Sequence, residues 1–531
     1  MPFKDLDHIR RLRRAESFAL DAVSPAADPR RVVIYSMDPW QLGVVEQFLH
    51  LALQAKGHLP VSIYYDGLLP ITAWENHYAA APPVAHLKER ARSIFDAFGI
   101  QPVGITRYLD RRNAEARARD RLDPVRDGEL SEIVYRGVPI GRIALRDLFQ
   151  YTVGHFEPRS AEDRRLYRRH VLHAAMSVDL AHAILDAERP DIVVLVNGKS
   201  VMYSYMYEVA QSRGTQVTTW EEGMFFDTGI VFANNARAID FPISHEEWQR
   251  YRLDPLRPEQ ARRVESYFAK WRAQEATCYR YYDRELRDFE TIRRALEIES
   301  NRNIISIFTN IVWDTNALDK DRAFDGMMDW VFETIEVVRR KPNHVLIIRA
   351  HPGEARWEYP TRTPVRQLVA ERYGGRLPAH VRLVDGHSEF SSYEIAARSA
   401  RCAVYTSTLG IELSLMGLEP LVCGIPFYSG KGFTNDVESK EAYADLLAGD
   451  TDPPGVDRDA LIQFMHLVLF RLIKRPEFLV GIHGHPQRPK VRLESFAGFP
   501  ESLPIFNEVV DCILSCRSFV SAAPEAPLCV A

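Results

Sequence analysis

Short apolar runs alternate with helical segments through the second half of the chain, and no other feature of the sequence restricts the fold as strongly. The runs predict strands at residues 304–308, 344–349, 381–384, 402–405 and 420–423. They are nearly free of polar residues, which is typical of strands that are buried on both faces. The pattern therefore predicts an α/β unit whose parallel sheet is covered by helices on both sides.

The first half of the chain shows the same alternation in a weaker form. Apolar runs at residues 31–36, 61–65, 191–196 and 216–220 predict strands, with helical spacing between them. Residues 104–154 show no clear periodicity. We therefore predict two Rossmann-like lobes with parallel sheets that face each other across a cleft.

The length of 531 residues is enough for roughly two to four domains. Residues 1–257 are predicted to form an N-terminal acceptor lobe, and residues 258–300 a helical connector. Residues 301–447 are predicted to form a C-terminal nucleotide-binding lobe. Residues 448–531 are predicted to be a helical extension with a frayed tail.

Composition and charge exclude several kinds of protein. A net charge of −5 provides no overall electrostatic attraction to nucleic acid. No apolar run approaches the roughly 18–20 residues of a membrane span, and the charged N-terminus lacks the apolar core of a signal peptide. We therefore predict a cytoplasmic protein, and peripheral association with the inner face of the membrane stays open.

A histidine follows the strand predicted at residues 344–349. Pro352 cannot extend the ladder, so the chain turns and directs His351 outward from the carboxyl end of the strand. Open parallel sheets bind ligands at that end. The imidazole can donate to a phosphate and stabilise a leaving nucleotide, or it can hydrogen-bond within the loop. Arg349 either reaches the same place or pairs with an acid.

Hydroxyl groups follow the strand predicted at residues 402–405. Ser407 and Thr408 open a helix, whose first N–H groups suit a phosphate, and Gly410 allows the backbone to approach a ligand closely. Glu412, in the first turn, either accepts from ribose hydroxyls or is an acid favoured by the helix dipole. We predict that this segment binds a nucleotide.

Two further segments are candidates for the same ligand. Ser391 and Ser392 open another helix, either as a cap or as a nucleotide contact. Residues 426–434 form a loop with two glycines that could close over a donor sugar and bring Lys431 near its anionic groups. The alternative is a surface loop with a solvated lysine.

Two adjacent carboxylates follow the strand predicted at residues 216–220. Glu221 and Glu222 precede Gly223, and neighbouring side chains in a strand point to opposite sides, so only one should face a ligand. That carboxylate is a candidate general base for an acceptor hydroxyl if burial raises its pKa toward neutrality.

Other polar residues at strand ends are predicted to line the acceptor side. Asn197 and Lys199 end the strand at residues 191–196, and Asn310 ends the first strand of the second lobe. No metal site is predicted, because Cys512 and Cys516, one helical turn apart, have no further ligands near them in the sequence.

Three of these elements together resemble a known motif set. The acidic pair before Gly223, the His-Pro pair at 351–352 and the hydroxyls at 407–408 resemble bacterial sialyltransferases and polysialyltransferases that use CMP-sugars. Residues 349–354, 391–393, 405–412 and 426–434 are still more similar to capsule polysaccharide biosynthesis proteins, a group that includes Kdo transferases.

The resemblance implies a GT-B fold that needs no metal and no cofactor besides its nucleotide-sugar co-substrate. It implies that Glu221 is the base, that His351 binds the phosphate and stabilises the leaving group, and that Ser407 and Thr408 are phosphate ligands. The implied activity is transfer of a sugar, with Kdo or another ulosonic acid among the candidates. The donor would be CMP-linked and the acceptor a surface or capsular glycan.

Three other interpretations fit the same residues. The first is a polyol-phosphate transferase that uses CDP-glycerol, although such proteins tend to carry Asp-Tyr-Ser-Ser where this chain has Tyr-Thr-Ser-Thr at residues 405–408. The second is a sugar-nucleotide 2-epimerase of the same fold. The third is a non-catalytic scaffold of an envelope glycan complex.

Overall fold

The structure is a computed structural model that describes residues 3–15, 24–37, 44–72, 75–225, 229–273, 288–315, 317–356, 358–480, 490–491 and 493–520. The chain divides into two compact units. The first unit comprises residues 1–151, 156–242 and 468–531, and the second comprises residues 152–155 and 243–467.

The strands are β1 Arg31–Ser36, β2 Leu59–Tyr64, β3 Val103–Gly104, β4 Ile192–Val196, β5 Gln216–Glu222, β6 Ile230–Asn234, β7 Asn303–Phe308, β8 His344–Arg349, β9 Val381–Val384, β10 Arg401–Val404, β11 Leu421–Val422, β12 Asn435–Asp436, β13 Leu479–Val480 and β14 Lys490–Val491. The α-helices are α1 Phe3–Ala15, α2 Val44–Ala55, α3 Val84–Phe98, α4 Arg111–Leu122, α5 Ile140–Tyr151, α6 Ala161–Glu188, α7 Ser204–Ser212, α8 His245–Arg252, α9 Pro258–Arg272, α10 Phe289–Ala295, α11 Met327–Arg339, α12 Gly353–Arg356, α13 Val365–Arg372, α14 Ser392–Ala397, α15 Leu409–Leu415, α16 Lys440–Ala448, α17 Arg458–Leu467 and α18 Pro504–Ser515.

The first unit contains a six-stranded sheet in the order β3-β2-β1-β4-β5-β6. Strands β1 to β5 pair in parallel, and β6 runs antiparallel beside β5. Alternate residues enter two separate apolar clusters, with Val33 and Val193 in one and Val32 and Ile192 in the other. The sheet is therefore covered on both faces, and its strand order is that of a Rossmann sheet.

The second unit contains a six-stranded, fully parallel sheet in the order β12-β11-β10-β7-β8-β9. Counted within the unit, the strands follow the same Rossmann order as in the first unit. The direction in which strands are added reverses between β7 and β10. Ligands bind at such a switch point, just outside the carboxyl ends of the strands.

The predicted fold class, two Rossmann-like α/β lobes of GT-B type, is confirmed by these two sheets. The five strands predicted for the second half coincide with β7 to β11 to within one residue at each end. In the first half, β5 extends through Glu222, so both carboxylates of the acidic pair belong to the strand. Within the described ranges, no helix combines the length and the apolar composition that a membrane span requires.

The compact units differ from the segments predicted from the sequence at the C-terminal end. Residues 448–531 are divided, because α17 belongs to the second unit and α18 to the first. Phe478 and Phe506 pack beside Phe48 of α2, with ring centroids 3.9 Å apart for Phe48 and Phe478. The predicted connector contains α9 and α10, both in the second unit, while residues 274–287 and the tail at 521–531 lie outside the described residues.

Candidate functional site

Three loops meet at the carboxyl edge of the second sheet, beside its switch point. Asn310, after β7, accepts a hydrogen bond from the backbone N–H of Thr406, after β10, at 3.1 Å. A Cβ on Gly353, after β8, would lie 2.6 Å from Ile311. The loops that carry His351, Asn310, Ser407 and their neighbours are therefore packed against one another, as expected for strand ends of one parallel sheet.

The imidazole of His351 is held in one protonation state. Its Nδ1 accepts a hydrogen bond from the backbone N–H of Gly353 at 3.0 Å. Desolvation by the surrounding protein, with a smaller contribution from the charge of Arg349, lowers the pKa of His351 to about 4. A neutral imidazole whose Nδ1 accepts must carry its proton on Nε2. His351 is therefore a neutral Nε2–H donor near pH 7.

Arg349 holds a loop of the second unit in place. Its side chain is 2% exposed, and its guanidinium donates to the backbone carbonyls of Asp385 and Ser388, at 2.5 and 3.1 Å. These carbonyls belong to the loop between β9 and α14. The charge-assisted hydrogen bonds of Arg349 fix the loop that precedes Ser391, and its contact with the nucleotide stays a prediction.

The hydroxyl turn, residues 406–408, is built around backbone contacts. Ser407 Oγ accepts the N–H of Leu409 at 3.2 Å, and the Ser407 carbonyl accepts the hydroxyl of Tyr428 at 2.7 Å. Thr408 is the residue before α15 and makes no side-chain cap. Both Ser407 and Thr408 keep partial solvent exposure, so their hydroxyls stay predicted phosphate contacts.

Gly410 is explained by Tyr428. A Cβ at position 410 would lie 2.3 Å from the Tyr428 hydroxyl oxygen and 3.0 Å from Val404 Cγ2. The backbone therefore approaches a buried phenol here, which is by itself a sufficient reason for the glycine, and its close approach to a ligand stays a prediction. The phenol in turn holds the carbonyl of Ser407, so the glycine indirectly sets the shape of the hydroxyl turn.

We expect Gly410→Ala to destabilise the second unit by about 1–3 kcal/mol, because an overpacked site must displace Tyr428. Tyr428→Phe should cost about 1 kcal/mol through the lost hydrogen bond. In the double variant, the alanine Cβ meets no phenol oxygen. The destabilisation of the double variant should therefore be smaller than the sum of the two single-variant destabilisations. Urea unfolding of the four proteins measures this coupling, and simple additivity would contradict the explanation.

Glu412 and Tyr393 connect the hydroxyl turn to α14. Glu412 is 4% exposed and accepts a hydrogen bond from the Tyr393 hydroxyl. Ser391 caps α14, since its Oγ accepts the N–H of Glu394 at 3.4 Å, and Ser392 is the partly exposed first residue of that helix. The buried carboxylate of Glu412 thus braces two loops of the edge, and its contact with ribose stays a prediction.

Lys431 is held by contacts with the protein. Its ammonium donates to the carbonyl of Ile243 at 2.8 Å and lies 5.8 Å from the centroid of the Phe464 ring. Trp248 Nε1 donates to the Lys431 carbonyl at 3.0 Å. Aromatic packing therefore fixes this part of the loop against α8 and α17, and a contact between Lys431 and the anionic groups of a donor stays a prediction.

Asn310 was predicted to line the acceptor side, and that contact stays a prediction. It belongs to the second unit and bonds to the hydroxyl turn of the predicted nucleotide site. Beside it, the Oγ1 atoms of Thr309 and Thr406 are buried without a hydrogen-bond partner among the described residues. Sequence reasoning missed both hydroxyls, although each follows a buried strand directly.

Glu354 is another residue that the sequence did not single out. It lies three residues after His351 and is 4% exposed. Its carboxyl accepts the N–H of Val365 at 2.9 Å, while burial raises its pKa to about 7. The available signal was an acidic residue in the short helix α12, which begins shortly after the carboxyl end of a buried strand.

In the first unit, the acidic pair lies beside Asn197 at the end of β4. Asn197 Nδ2 donates to Glu221 Oε2 at 2.8 Å, and the N–H of Glu222 donates to Glu221 Oε1 at 2.9 Å. Both donors favour the ionised form of Glu221. The strand alternation places Glu221 and Glu222 on opposite faces of the sheet, as the sequence predicts.

Glu222 is chemically different from its neighbour. It keeps partial solvent exposure, yet desolvation by the protein around it and the nearby charge of Glu221 raise the pKa of Glu222 to about 8. Near pH 7 this carboxyl is mostly protonated. Glu221 accepts from two N–H donors, which favour a carboxylate, so it is the better candidate for a base.

Lys199 is buried rather than displayed to solvent. It is 4% exposed, its N–H donates to Asn197 Oδ1 at 2.8 Å, and its carbonyl accepts from Arg146 at 2.7 Å. Its predicted contact with an acceptor stays a prediction, and its backbone is part of the turn that Asn197 organises.

No protein-family model and no curated protein sequence matches the chain significantly. Among solved structures, it is similar to two Kdo transferases, beta 2,4 and beta 2,7, of Thermosulfurimonas dismutans KpsC, both with a TM-score of 0.33. The identities are 14% and 12%, and the matches cover 61% and 56% of this chain and 86% and 82% of those chains.

The chain is also similar to the UDP-GlcNAc 2-epimerase of Neisseria meningitidis bound to UDP-GlcNAc, with a TM-score of 0.21 and 10% identity. That match covers 83% of this chain and 91% of the epimerase. Likeness at this level assigns no activity to the chain, and the GT-B-like fold rests on the two sheets themselves.

Proposed function

We propose that this protein is a glycosyltransferase that moves a sugar from a nucleotide-sugar donor to a glycan acceptor. The donor is of the CMP-linked type, with Kdo or another ulosonic acid as the sugar, and the acceptor is a surface or capsular glycan or glycolipid. The observation that carries the proposal is the neutral His351, whose protonated Nε2 belongs to the same strand edge as the hydroxyl turn.

The second unit would bind the donor. When the bond between the anomeric carbon and the phosphate oxygen breaks, negative charge develops on the departing nucleotide. A preorganised N–H donor such as His351 stabilises that charge by a hydrogen bond and keeps its own proton. The hydroxyls of Ser407 and Thr408 would hold other phosphate oxygens, and the choice of a CMP-linked donor follows the motif resemblance.

The first unit would supply the base. The acceptor hydroxyl oxygen forms the new bond to the anomeric carbon, and its proton passes to the Glu221 carboxylate. Two N–H donors fix the orientation of this carboxylate before the reaction. It therefore needs little further ordering to accept the proton. Positioning, leaving-group stabilisation and one proton transfer together account for the whole reaction, and atoms and charges balance.

Nucleotide binding is the first test. We expect CMP to raise the melting temperature of the protein more than CDP, UDP or GDP at equal concentration, because a ligand that binds only the native state stabilises it. His351→Ala should reduce this shift and lower transfer about 10²–10³-fold. His380→Ala, directly before the amino end of β9, serves as a matched control, and the reaction should yield glycan product only when acceptor is present.

Other outcomes would replace this proposal with a different one. Conversion of the donor in the absence of acceptor would indicate an epimerase, and phosphorus in the product would indicate a polyol-phosphate transferase. Nucleotide binding without turnover would indicate a scaffold. Full transfer activity in His351→Ala would remove the assigned role of that residue.

A further inference from the structure

Asn197 is the centre of a hydrogen-bond network that joins the ends of β4 and β5 in the first unit. Its Oδ1 accepts the backbone N–H groups of Lys199 and Ser200, at 2.8 and 3.0 Å, and the Ser200 hydroxyl at 3.3 Å. Its Nδ2 donates to Glu221 Oε2 at 2.8 Å. One side chain therefore shapes the turn after β4 and reaches the neighbouring strand.

The backbone at this position also favours asparagine. Asn197 has a φ of 31°, and Asn is among the few non-glycine residues that tolerate positive φ. Its own N–H donates to the carbonyl of Trp220 at 2.9 Å, so the residue is fixed to β5 from both sides. The residue is 9% exposed, which means that its amide has few alternative orientations.

We propose that Asn197 is a positioning residue for the reaction: its amide holds the Glu221 carboxylate in place and keeps it ionised as the proton acceptor. This inference rests on the proposed function. A carboxylate offers about four acceptor sites on its two oxygens. Asn197 occupies one on Oε2 and the N–H of Glu222 occupies one on Oε1, so both oxygens are oriented by the protein before any substrate arrives.

Charged residues surround the hydrogen-bond network of Asn197. Glu222 adjoins Glu221 on β5, and Lys199 belongs to the turn. Arg237 Nε donates to the Gly198 carbonyl at 3.1 Å, and Arg146 donates to the Lys199 carbonyl at 2.7 Å. These cationic residues are the same in the native protein and in the Asn197 variants. A difference in pH dependence can therefore be attributed to the change at Asn197.

Asn197→Asp is the sharpest test, because it preserves size, the positive φ and the acceptor for Lys199 and Ser200. It replaces the donor facing Glu221 with an oxygen that carries charge. We expect the acidic limb of the pH dependence of kcat/KM to move to higher pH by about one unit or more, since a like charge raises a carboxyl pKa. The fall in transfer should be largest on the acidic limb, where Glu221 of the variant is protonated at a pH at which that of the wild type is still ionised, while KM for the donor changes less than twofold.

Two further variants control for structure. Ser200→Ala removes only the hydroxyl contact to Oδ1 and should leave the pH profile unchanged. Asn197→Gly adopts positive φ without strain and removes the hydrogen bonds of both amide atoms, Oδ1 and Nδ2. It should also move the acidic limb to higher pH, so it tests the inference even if Asn197→Asp fails to fold. A profile that matches wild type in both Asn197 variants would overturn the inference.

Glu221→Gln and an unfolding measurement separate this inference from the proposed function. If Glu221→Gln keeps full activity, the proposed base is wrong. If it is inactive while the Asn197 variants keep the wild-type profile, only the positioning role is wrong. Independently of turnover, Asn197→Asp should lower the melting temperature at pH 8 more than at pH 4, where both carboxyls can hold protons. An equal change at both pH values would show that the amide does not stabilise an ionised Glu221.

Discussion

Glu221→Gln should lower kcat for transfer by about 10²–10⁴-fold, the usual contribution of a positioned general base. Glutamine has the same shape, and its oxygen can still accept from Asn197 or from the N–H of Glu222. It cannot take a proton from an acceptor hydroxyl. KM for the nucleotide-sugar should stay close to wild type, because the predicted nucleotide contacts lie in the second unit.

Glu222→Gln is the matched control for this experiment, because it makes the same replacement of a carboxyl oxygen by an amide nitrogen at the neighbouring residue. Steady-state kinetics of both variants at pH 7, with thermal unfolding to confirm the fold, decide between the two carboxyls. If Glu222→Gln is the inactive variant and Glu221→Gln is active, the base has been assigned to the wrong face of β5.

The second large effect concerns stability. Glu222→Gln should stabilise the first unit at pH 8 and change it little at pH 4. The folded protein holds the Glu222 pKa at about 8, above the ordinary value of 4.5. The unfolded chain therefore releases this proton at lower pH than the folded protein, and stability is lost as pH rises from about 4.5 to about 8. Glutamine, which cannot ionise, removes that loss.

The size of the gain follows from the same linkage. The full shift corresponds to an upper bound of about 5 kcal/mol, and partial exposure reduces the expected gain to roughly 2–4 kcal/mol. Scanning calorimetry at pH 4, 6 and 8 should show a gain that grows with pH. Glu208→Gln is the control, because Glu208 is a partly exposed acid that pairs with Arg237 in the same unit. This variant should show no gain in stability that grows with pH. A gain for Glu222→Gln that is independent of pH would show that its carboxyl titrates normally.

Five of the six strands of the second unit's sheet could be predicted almost residue by residue, because continuous apolar runs such as 344–349 indicate burial on both faces of a sheet. His351, Ser407 and Thr408 could be singled out for a related reason. Polar side chains that directly follow buried strands gather at one edge of a parallel sheet, whatever the lengths of the intervening helices.

The partners of individual side chains could not be predicted in this way. Arg349 bonds to two carbonyls 36 and 39 residues away, and Lys431 bonds to a carbonyl 188 residues away. Gly410 is required by a phenol 18 positions later, a contact that no local pattern reports. The division of residues 448–531 between the units likewise depends on which apolar surface α18 covers.

The sequence by itself determined the fold class and the edge of each sheet where polar residues collect, because periodicity and strand ends are local properties of the chain. Only the tertiary structure decided which groups are ionised, which donors hold them and which charged side chains are occupied elsewhere. Glu221 and Glu222 are identical and adjacent in the sequence. Asn197, in the turn after another strand, donates to Glu221, and the protein packed around Glu222 raises the pKa of that carboxyl to about 8.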